Sequence, residues 1–82
     1  GPDELWHYSM SVVARLRQAG LQEAADLLED ATKHVTSSGW EWLGILAEAA
    51  EAVRKRFAPA PDLDQALKQI VRTARSGKPY GA

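Results

Sequence analysis

The sequence contains no cysteine, which excludes disulfide bonds and thiolate metal sites. No apolar run approaches the roughly 18 residues that a transmembrane helix needs, and no secretory signal pattern opens the chain. Strand-like alternation is missing, as is any repeat of about 20 to 50 residues that would indicate a solenoid. We therefore expect a soluble cytoplasmic protein, since a reducing compartment suits a chain without disulfides.

A strong charge of one sign is also lacking. The formal net charge of −1 argues against a dedicated nucleic-acid binder, because such proteins usually present a strongly basic surface. The chain does have 45% hydrophobic residues in a total of 82, which is typical of a globular protein. One domain of this size has roughly 3 to 5 kcal/mol of net stability from its core and little room for a deep pocket.

The longest segment with helical periodicity covers residues 36–57. Ser38 and Glu41 have the spacing of a capping box, which predicts where this helix starts. Trp42, Ile45 and Ala49 flank an apolar stripe whose members recur at steps of three and four. The stripe consists of Leu43, Leu46, Ala50, Val53 and Phe57. A face this wide needs partners on more than one side, so we expect this helix to organise the fold.

A helical hairpin is predicted ahead of this segment. The first helix covers residues 3–19, with Asp3 as its N-cap, and it ends where Gly20 and Leu21 fit a Schellman motif. The turn is short, so the second helix, residues 21–34, should be an antiparallel neighbour of the first.

A fourth helix is predicted after the sequence Ala-Pro-Ala-Pro at residues 58–61. The two prolines keep this spacer from being helical. Asp62 and Gln65 repeat the capping-box spacing and should start a helix that ends near Ser76.

These patterns predict an all-α fold, a compact bundle of four amphipathic helices. Ser9 and Ser11 could kink the first helix and Gly44 could break the third, which would give five or six shorter helices. We assign a single helical domain to residues 3–76. The Gly-Pro at residues 1–2 resembles a scar left by tag removal with a rhinovirus-type protease. Residues 77–82 are expected to form a flexible tail or linker, as at the edge of a domain excised from a larger protein.

No catalytic or metal-binding signature is present in the sequence. His34 and Asp30 share a helix face at i, i+4 spacing, but a metal site needs further converging ligands and His7 is the only other histidine. No serine lies in a nucleophile elbow, and no glycine-rich phosphate loop occurs. We therefore expect a protein without enzymatic activity, cofactor or metal.

Three tryptophans are many for so small a core. Packing in the core suffices to explain Trp6. Trp40 and Trp42 lie two positions apart on a helix and point about 200° away from each other. Trp40 belongs with Leu43, so we expect Trp40 deeper and Trp42 near the edge, where it could contact a partner.

Charge placement gives the main functional hint. The predicted second helix carries acidic residues on its outer face: Glu23, Asp26, Glu29 and Asp30. From Val53 onward the chain has seven basic residues and two acidic ones. Lys68, Arg72 and Arg75 recur along one face of the fourth helix. Arg54, Lys55 and Arg56 lie at the end of the third, where the helix dipole favours cations.

One explanation for these charges is a solvated surface with ordinary dipole complementation. The functional alternative is that the acidic and basic faces of different molecules meet head to tail. The predicted partner-binding residues are Glu23, Asp26, Asp30, Trp42, Arg54, Arg56, Lys68, Arg72 and Arg75. The expected partner is a protein, with homotypic domains as one possibility, and neither a membrane nor nucleic acid is expected.

The segment Thr-Ser-Ser-Gly-Trp-Glu-Trp-Leu-Gly at residues 36–44 resembles small Ala/Leu/Arg-rich bacterial helical domains of unknown function that begin a helix with Thr-Ser-Ser. Arg-Gln-Ala-Gly at 17–20 and Ala-Ala-Asp-Leu-Leu at 24–28 belong to the same resemblance, which implies a bacterial source. In size and helical content the chain is also similar to death-fold recruitment domains of the CARD type. That analogy implies assembly through opposed charged faces.

We thus expect a non-enzymatic adaptor or recruitment domain, part of a larger bacterial signalling or defence protein. An alternative is a stand-alone inhibitor or immunity-type protein that binds one target through its acidic helix. Nucleic-acid binding through the basic residues of the third and fourth helices is a less favoured third hypothesis, given the net charge.

Overall fold

The computed structural model describes residues 2–34 and 40–76, and side chains from 3 to 34 and from 41 to 76. The described residues form four helices and no strand. The helices are α1 (Pro2–Gln18), α2 (Gln22–Thr32), α3 (Trp40–Phe57) and α4 (Pro61–Ser76). The predicted all-α fold with four helices is confirmed.

The helices form a ring in which α1 packs against α2 and α4, and α3 packs against the same two helices. Arg15 near the end of α1 donates to Asp62 at the start of α4, so these two helices are antiparallel. The hydroxyl of Thr32, at the end of α2, contacts Met10 in the middle of α1, which fits an antiparallel pair of a long and a short helix. The bundle therefore runs up and down around one core.

The core is built from the inward faces of all four helices. Its largest fully buried aliphatic side chains come from each helix in turn: Leu16, Leu28, Leu46, Leu67 and Ile70. Along α3 the predicted stripe is buried as far as Val53, and Phe57 is half-buried against the core. Burial of such side chains is the main stabilising term in a domain of this kind.

The turn between α1 and α2 is the predicted Schellman motif. Gly20 has φ of +83°, its N–H donates to Arg17 O, and the N–H of Leu21 donates to Leu16 O at 2.9 Å. These are the two hydrogen bonds that define the motif. Ser9, Ser11 and Gly44 do not interrupt their helices, so the alternative of five or six shorter helices is wrong.

The start of α4 differs from the prediction. The helix begins at Pro61, and the N–H of Asp64 donates to Ala60 O at 2.8 Å, which makes Ala60 the N-cap residue. Asp62 therefore lies in the first turn, and its carboxylate accepts a hydrogen bond from Arg15. Proline is favoured at the first helical position because its missing N–H would have no helical acceptor. The capping box predicted at Ser38 lies outside the described residues.

Candidate protein-interaction surfaces

A groove with an acidic rim lies between α2 and the end of α3. We call it the acidic groove. It is lined by Glu23, Asp26, Leu27, Asp30, Arg56 and Phe57. The four α2 residues come together because positions three and four apart share one side of a helix. Leu27 and Phe57 are half-buried and pack against the core, so they give the groove an apolar floor.

The carboxylates of α2 differ in how far the protein neutralises them. Arg17, at the end of α1, donates to Asp26 at 2.9 Å and to Glu29 at 2.5 Å. The hydrogen bond from Arg17 to Asp26 is the main cause that raises the pKa of this guanidinium. His34 Nε2 lies 3.8 Å from Asp30 and adds charge only when it is protonated. Among the described residues Glu23 has no ion-pair partner, so the groove keeps uncompensated negative charge.

Arg56 occupies the α3 side of the acidic groove. Its guanidinium carbon lies 5.3 Å from the centroid of the Phe57 ring, which is cation–π distance. In the described part of the chain no carboxylate lies within ion-pair distance of Arg56. This cation therefore lies over the Phe57 ring and forms no ion pair with any of the α2 carboxylates that line the groove.

A second groove lies between α3 and α4, on the neighbouring face of the bundle. We call it the basic groove. It is lined by Arg54, Lys68, Val71, Arg72, Arg75 and Ser76. Lys68, Arg72 and Arg75 are spaced at i, i+4 and i+7, so α4 presents them along one line. Val71 lies at the buried base of this line.

Two carboxylates cross-link the walls of the basic groove. Arg54 Nε donates to Asp64 at 2.8 Å and its Nη1 donates to Glu51 at 2.8 Å. Lys68 lies 3.8 Å from the other Asp64 oxygen, and Arg75 lies 4.0 Å from Glu51. The hydrogen bond between Arg54 and Asp64 lowers the pKa of that carboxyl and raises the pKa of the guanidinium. The result is a row of alternating charges.

Arg72 is the exception in this row. Its side chain is exposed, and no described residue pairs with it. It is therefore the cation of the basic groove that an incoming anion can reach without breaking an internal ion pair.

The structure brings most of the predicted partner-binding residues into these two grooves. Glu23, Asp26 and Asp30 share the acidic groove. Arg54, Lys68, Arg72 and Arg75 share the basic groove. Arg56 was expected with the basic residues but lines the acidic groove, because position 56 is 200° from position 54 around the helix.

Trp42 is the clearest error among the predicted positions, since it is 2% exposed and belongs to the core. It precedes Leu46 by one turn and so shares the row that faces the bundle interior. Helix α3 packs against both α2 and α4, which makes its buried face wide enough to take in Trp42 as well as Leu43. The side chain of Trp40 lies outside the described residues, so its predicted depth stays a prediction.

The residues that neutralise the charges of the two grooves were not predicted from the sequence. Glu51 and Asp64 were not singled out, although the i, i+3 spacing of Glu51 with Arg54 and the i, i+4 spacing of Asp64 with Lys68 were visible signals. Arg17 contacts carboxylates nine and twelve positions away in the next helix. No local pattern reveals a pair of this kind.

Comparisons with known proteins give no family for this chain. No protein-family model matches it, and no match among curated proteins or solved structures was found. None of the four described helices has the length and apolar content to cross a membrane. Within residues 2–34 and 40–76, no three histidine or carboxylate side chains are grouped so that they could hold a metal ion.

Proposed function

We propose that this chain is a non-enzymatic protein–protein interaction domain of the adaptor or recruitment type, within a larger bacterial signalling or defence protein. It joins like domains by placing the basic groove of one copy against the acidic groove of the next. One observation carries the proposal: three carboxylates line one groove and three cations of α4 line the groove on the adjacent face.

The position of the grooves supports a head-to-tail arrangement. The two surfaces differ and both flank α3, so a contact between them leaves one acidic and one basic groove open at the ends of a dimer. Contacts of this heterologous kind continue into rings or open assemblies. Recruitment of many like domains needs such growth, which a symmetric dimer does not give.

The internal ion pairs support a weak and salt-sensitive contact. Asp26 of the acidic groove already forms an ion pair with Arg17. Three of the four cations of the basic groove already form ion pairs with Glu51 or Asp64. The remaining interaction involves exposed charges, which salt screens within about 10 Å at moderate ionic strength. Association should therefore be concentration-dependent and reversible.

The first test is the molecular mass in solution, by light scattering over a concentration series at low and high salt. We expect mass to rise with concentration at low salt and to fall towards the monomer at high salt. Arg72→Glu should stay monomeric because it reverses the accessible cation of the basic groove. Lys55→Glu is the matched control, since it makes the same charge change at an exposed α3 residue that lines neither groove. Equal loss in both variants would contradict the proposal.

A mixing experiment tests the complementarity of the two grooves. The double variant Glu23→Arg, Asp30→Arg loses the acidic groove, and Arg72→Glu loses the basic one. Each should be monomeric alone. Their mixture retains one intact pair of surfaces and should form a one-to-one dimer that grows no further. A mixture that stays monomeric while the unmodified chain assembles would rule out contact between these two grooves.

A second candidate is a small inhibitor or immunity-type protein that binds one target through α2. The apolar floor of Leu27 and Phe57 favours this hypothesis, because an acidic rim around an apolar floor suits a basic target. It predicts a chain that is monomeric at all concentrations and a target complex that is lost when Glu23 and Asp26 are changed. Binding to unrelated nucleic-acid duplexes with a steep salt dependence would instead favour the basic groove as a nucleic-acid site.

A further inference from the structure

The acidic groove already contains a guanidinium of its own chain. Arg56 lies over the Phe57 ring at 5.3 Å, on the side of the groove opposite the α2 carboxylates. Its partners among the described residues include no carboxylate, although Glu23, Asp26 and Asp30 line the same groove. A cation beside three carboxylates would normally pair with one of them. Here the ring holds it instead.

We propose that Arg56 is an internal placeholder, and that Arg72 of a second copy replaces it on the Phe57 ring when the grooves dock. This inference rests on the proposed head-to-tail function and names the contact at its centre. In this contact the partner's guanidinium stacks on the apolar floor of the acidic groove, and the α2 carboxylates balance its positive charge.

The chemistry of the two arginines supports an exchange. A guanidinium is planar, stacks on aromatic rings and is weakly hydrated, so it suits a site that combines a ring with carboxylates better than an ammonium does. Arg72 has no partner among the described residues to give up, whereas the other basic-groove cations would each have to leave Glu51 or Asp64. Phe57 offers this groove a single ring, so Arg56 and an incoming arginine compete for it.

Competition for the ring predicts that loss of Arg56 strengthens assembly. Arg56→Gln removes a groove residue and yet should tighten assembly, because the ring no longer has an internal occupant. Lys55→Gln is the matched control, since it removes the same charge from the neighbouring exposed position and corrects for the general gain in negative charge. We expect the dissociation constant of Arg56→Gln to be about two- to five-fold below that of Lys55→Gln, the range of an exposed cation–π contact.

A second variant keeps the test independent of folding effects. Phe57→Leu preserves an apolar floor and removes the ring, so it should weaken assembly. Adding Arg56→Gln to Phe57→Leu should then give no gain beyond that of adding Lys55→Gln. Dissociation constants come from sedimentation or light scattering on the full chain, with helical content checked by circular dichroism for each variant.

The outcomes separate this inference from the proposed function. If the unmodified chain assembles and Arg56→Gln assembles no more tightly than Lys55→Gln, Arg56 is a partner contact or a bystander, and the placeholder inference is wrong while recruitment stands. If the gain persists in the Phe57→Leu background, the ring is not the contested site and the inference is again wrong. If every variant and the unmodified chain are monomeric throughout, head-to-tail recruitment itself fails.

Discussion

Both helical hairpins of this bundle end their first helix at a residue with positive φ, but the residue is glycine in one and alanine in the other. Gly20 follows α1 with φ of +83°, and Ala58 follows α3 with φ of +41°. A left-handed conformation costs an L-residue roughly 1–2 kcal/mol, whereas glycine adopts it without this penalty. The α1–α2 turn is thus locally relaxed, whereas the α3–α4 turn places an alanine in a backbone conformation that alanine disfavours.

In both hairpins an arginine near the end of the first helix joins it to the second. Arg17 near the end of α1 binds two carboxylates of α2, and Arg54 near the end of α3 binds Asp64 of α4. In each case a cation near a helix C-terminus, where the dipole favours it, also ties that helix to the next. The same antiparallel pairing is therefore reached with similar ion pairs and different turn chemistry.

Buried polar groups give a further comparison of the two hairpins. Ser9 and Thr32, in α1 and α2, are the buried polar side chains of the described core, and α4 contributes only apolar ones. The Thr32 hydroxyl donates to Glu29 O at 2.6 Å, whereas neither the Ser9 hydroxyl nor Trp42 Nε1 in α3 has a hydrogen-bond partner among the described residues. A buried hydroxyl without a hydrogen bond opposes folding. Each hairpin therefore contains one buried polar atom that opposes folding, but only the serine can be replaced by alanine without leaving a large cavity.

The largest expected effect tests whether the hairpins fold as one unit. Leu28→Ala in α2 and Leu67→Ala in α4 each truncate a fully buried side chain and should each cost about 2–5 kcal/mol. Urea unfolding followed by circular dichroism and by tryptophan fluorescence should show one coincident transition, shifted similarly in both variants. Two separate transitions in either variant would mean that the hairpins unfold independently.

Replacing the glycine of one turn by alanine and the alanine of the other by glycine should change the unfolding free energy in opposite directions. Gly20→Ala should cost about 1–2 kcal/mol of unfolding free energy, since a new Cβ meets no atom within 4 Å and only the backbone is strained. Ala58→Gly should gain about 0.5–1 kcal/mol, because relief of strain exceeds the added flexibility of the unfolded chain. Thermal melts of both variants check this. A loss for Ala58→Gly would show that the α3–α4 turn is not strained.

Removing each of the two buried hydroxyls should also change the unfolding free energy in opposite directions. Ser9→Ala removes an unsatisfied group and adds a better helix former, so we expect a gain of about 1 kcal/mol. Thr32→Val removes a hydroxyl that is hydrogen-bonded and should lose about 1 kcal/mol. Denaturant unfolding free energies decide between the two. A loss for Ser9→Ala would mean that its hydroxyl has a partner after all.

The smallest effect concerns the Arg54–Asp64 pair. The pKa of Asp64 is lowered in the folded state, so the stability it contributes is complete above its usual pKa of about 4 and is lost as pH falls through the lower folded value. The unfolding free energy of Asp64→Asn should be below that of the unmodified chain near neutral pH, and the difference should shrink below about pH 4. Asp62→Asn, whose pair with Arg15 is more exposed, should show a smaller difference near neutral pH. A difference for Asp64→Asn that is independent of pH would contradict this account.

Much of the fold was predictable from local pattern. Apolar residues at steps of three and four predicted four helices, and Gly20 with Leu21 predicted the turn between α1 and α2. The start of α4 was predicted two residues late, because Asp62 resembles an N-cap but the N-cap is Ala60 and Pro61 is already helical. Boundaries are the weaker part of such predictions, since several residues can satisfy the same cap.

Most residues of the two grooves were predicted from the sequence, but their arrangement in space was not. The spacing of Lys68, Arg72 and Arg75 placed them on one side of α4, as the structure has them. Trp42 and Arg56 were assigned to the wrong surroundings, because the apolar stripe of α3 fixes the helix but leaves the centre of its buried face uncertain by a residue's angular step of about 100°.

The helical character of this protein and the charges on each helix follow from local sequence, because both depend on neighbours within one or two turns. Packing between the helices, by contrast, buries Trp42, brings Arg17 to carboxylates of α2 and turns Arg56 towards the acidic groove, where it lies over Phe57. The physical reason is that the rotation of a helix about its own axis is set by packing against its neighbours, and that rotation assigns every side chain to core, groove or solvent.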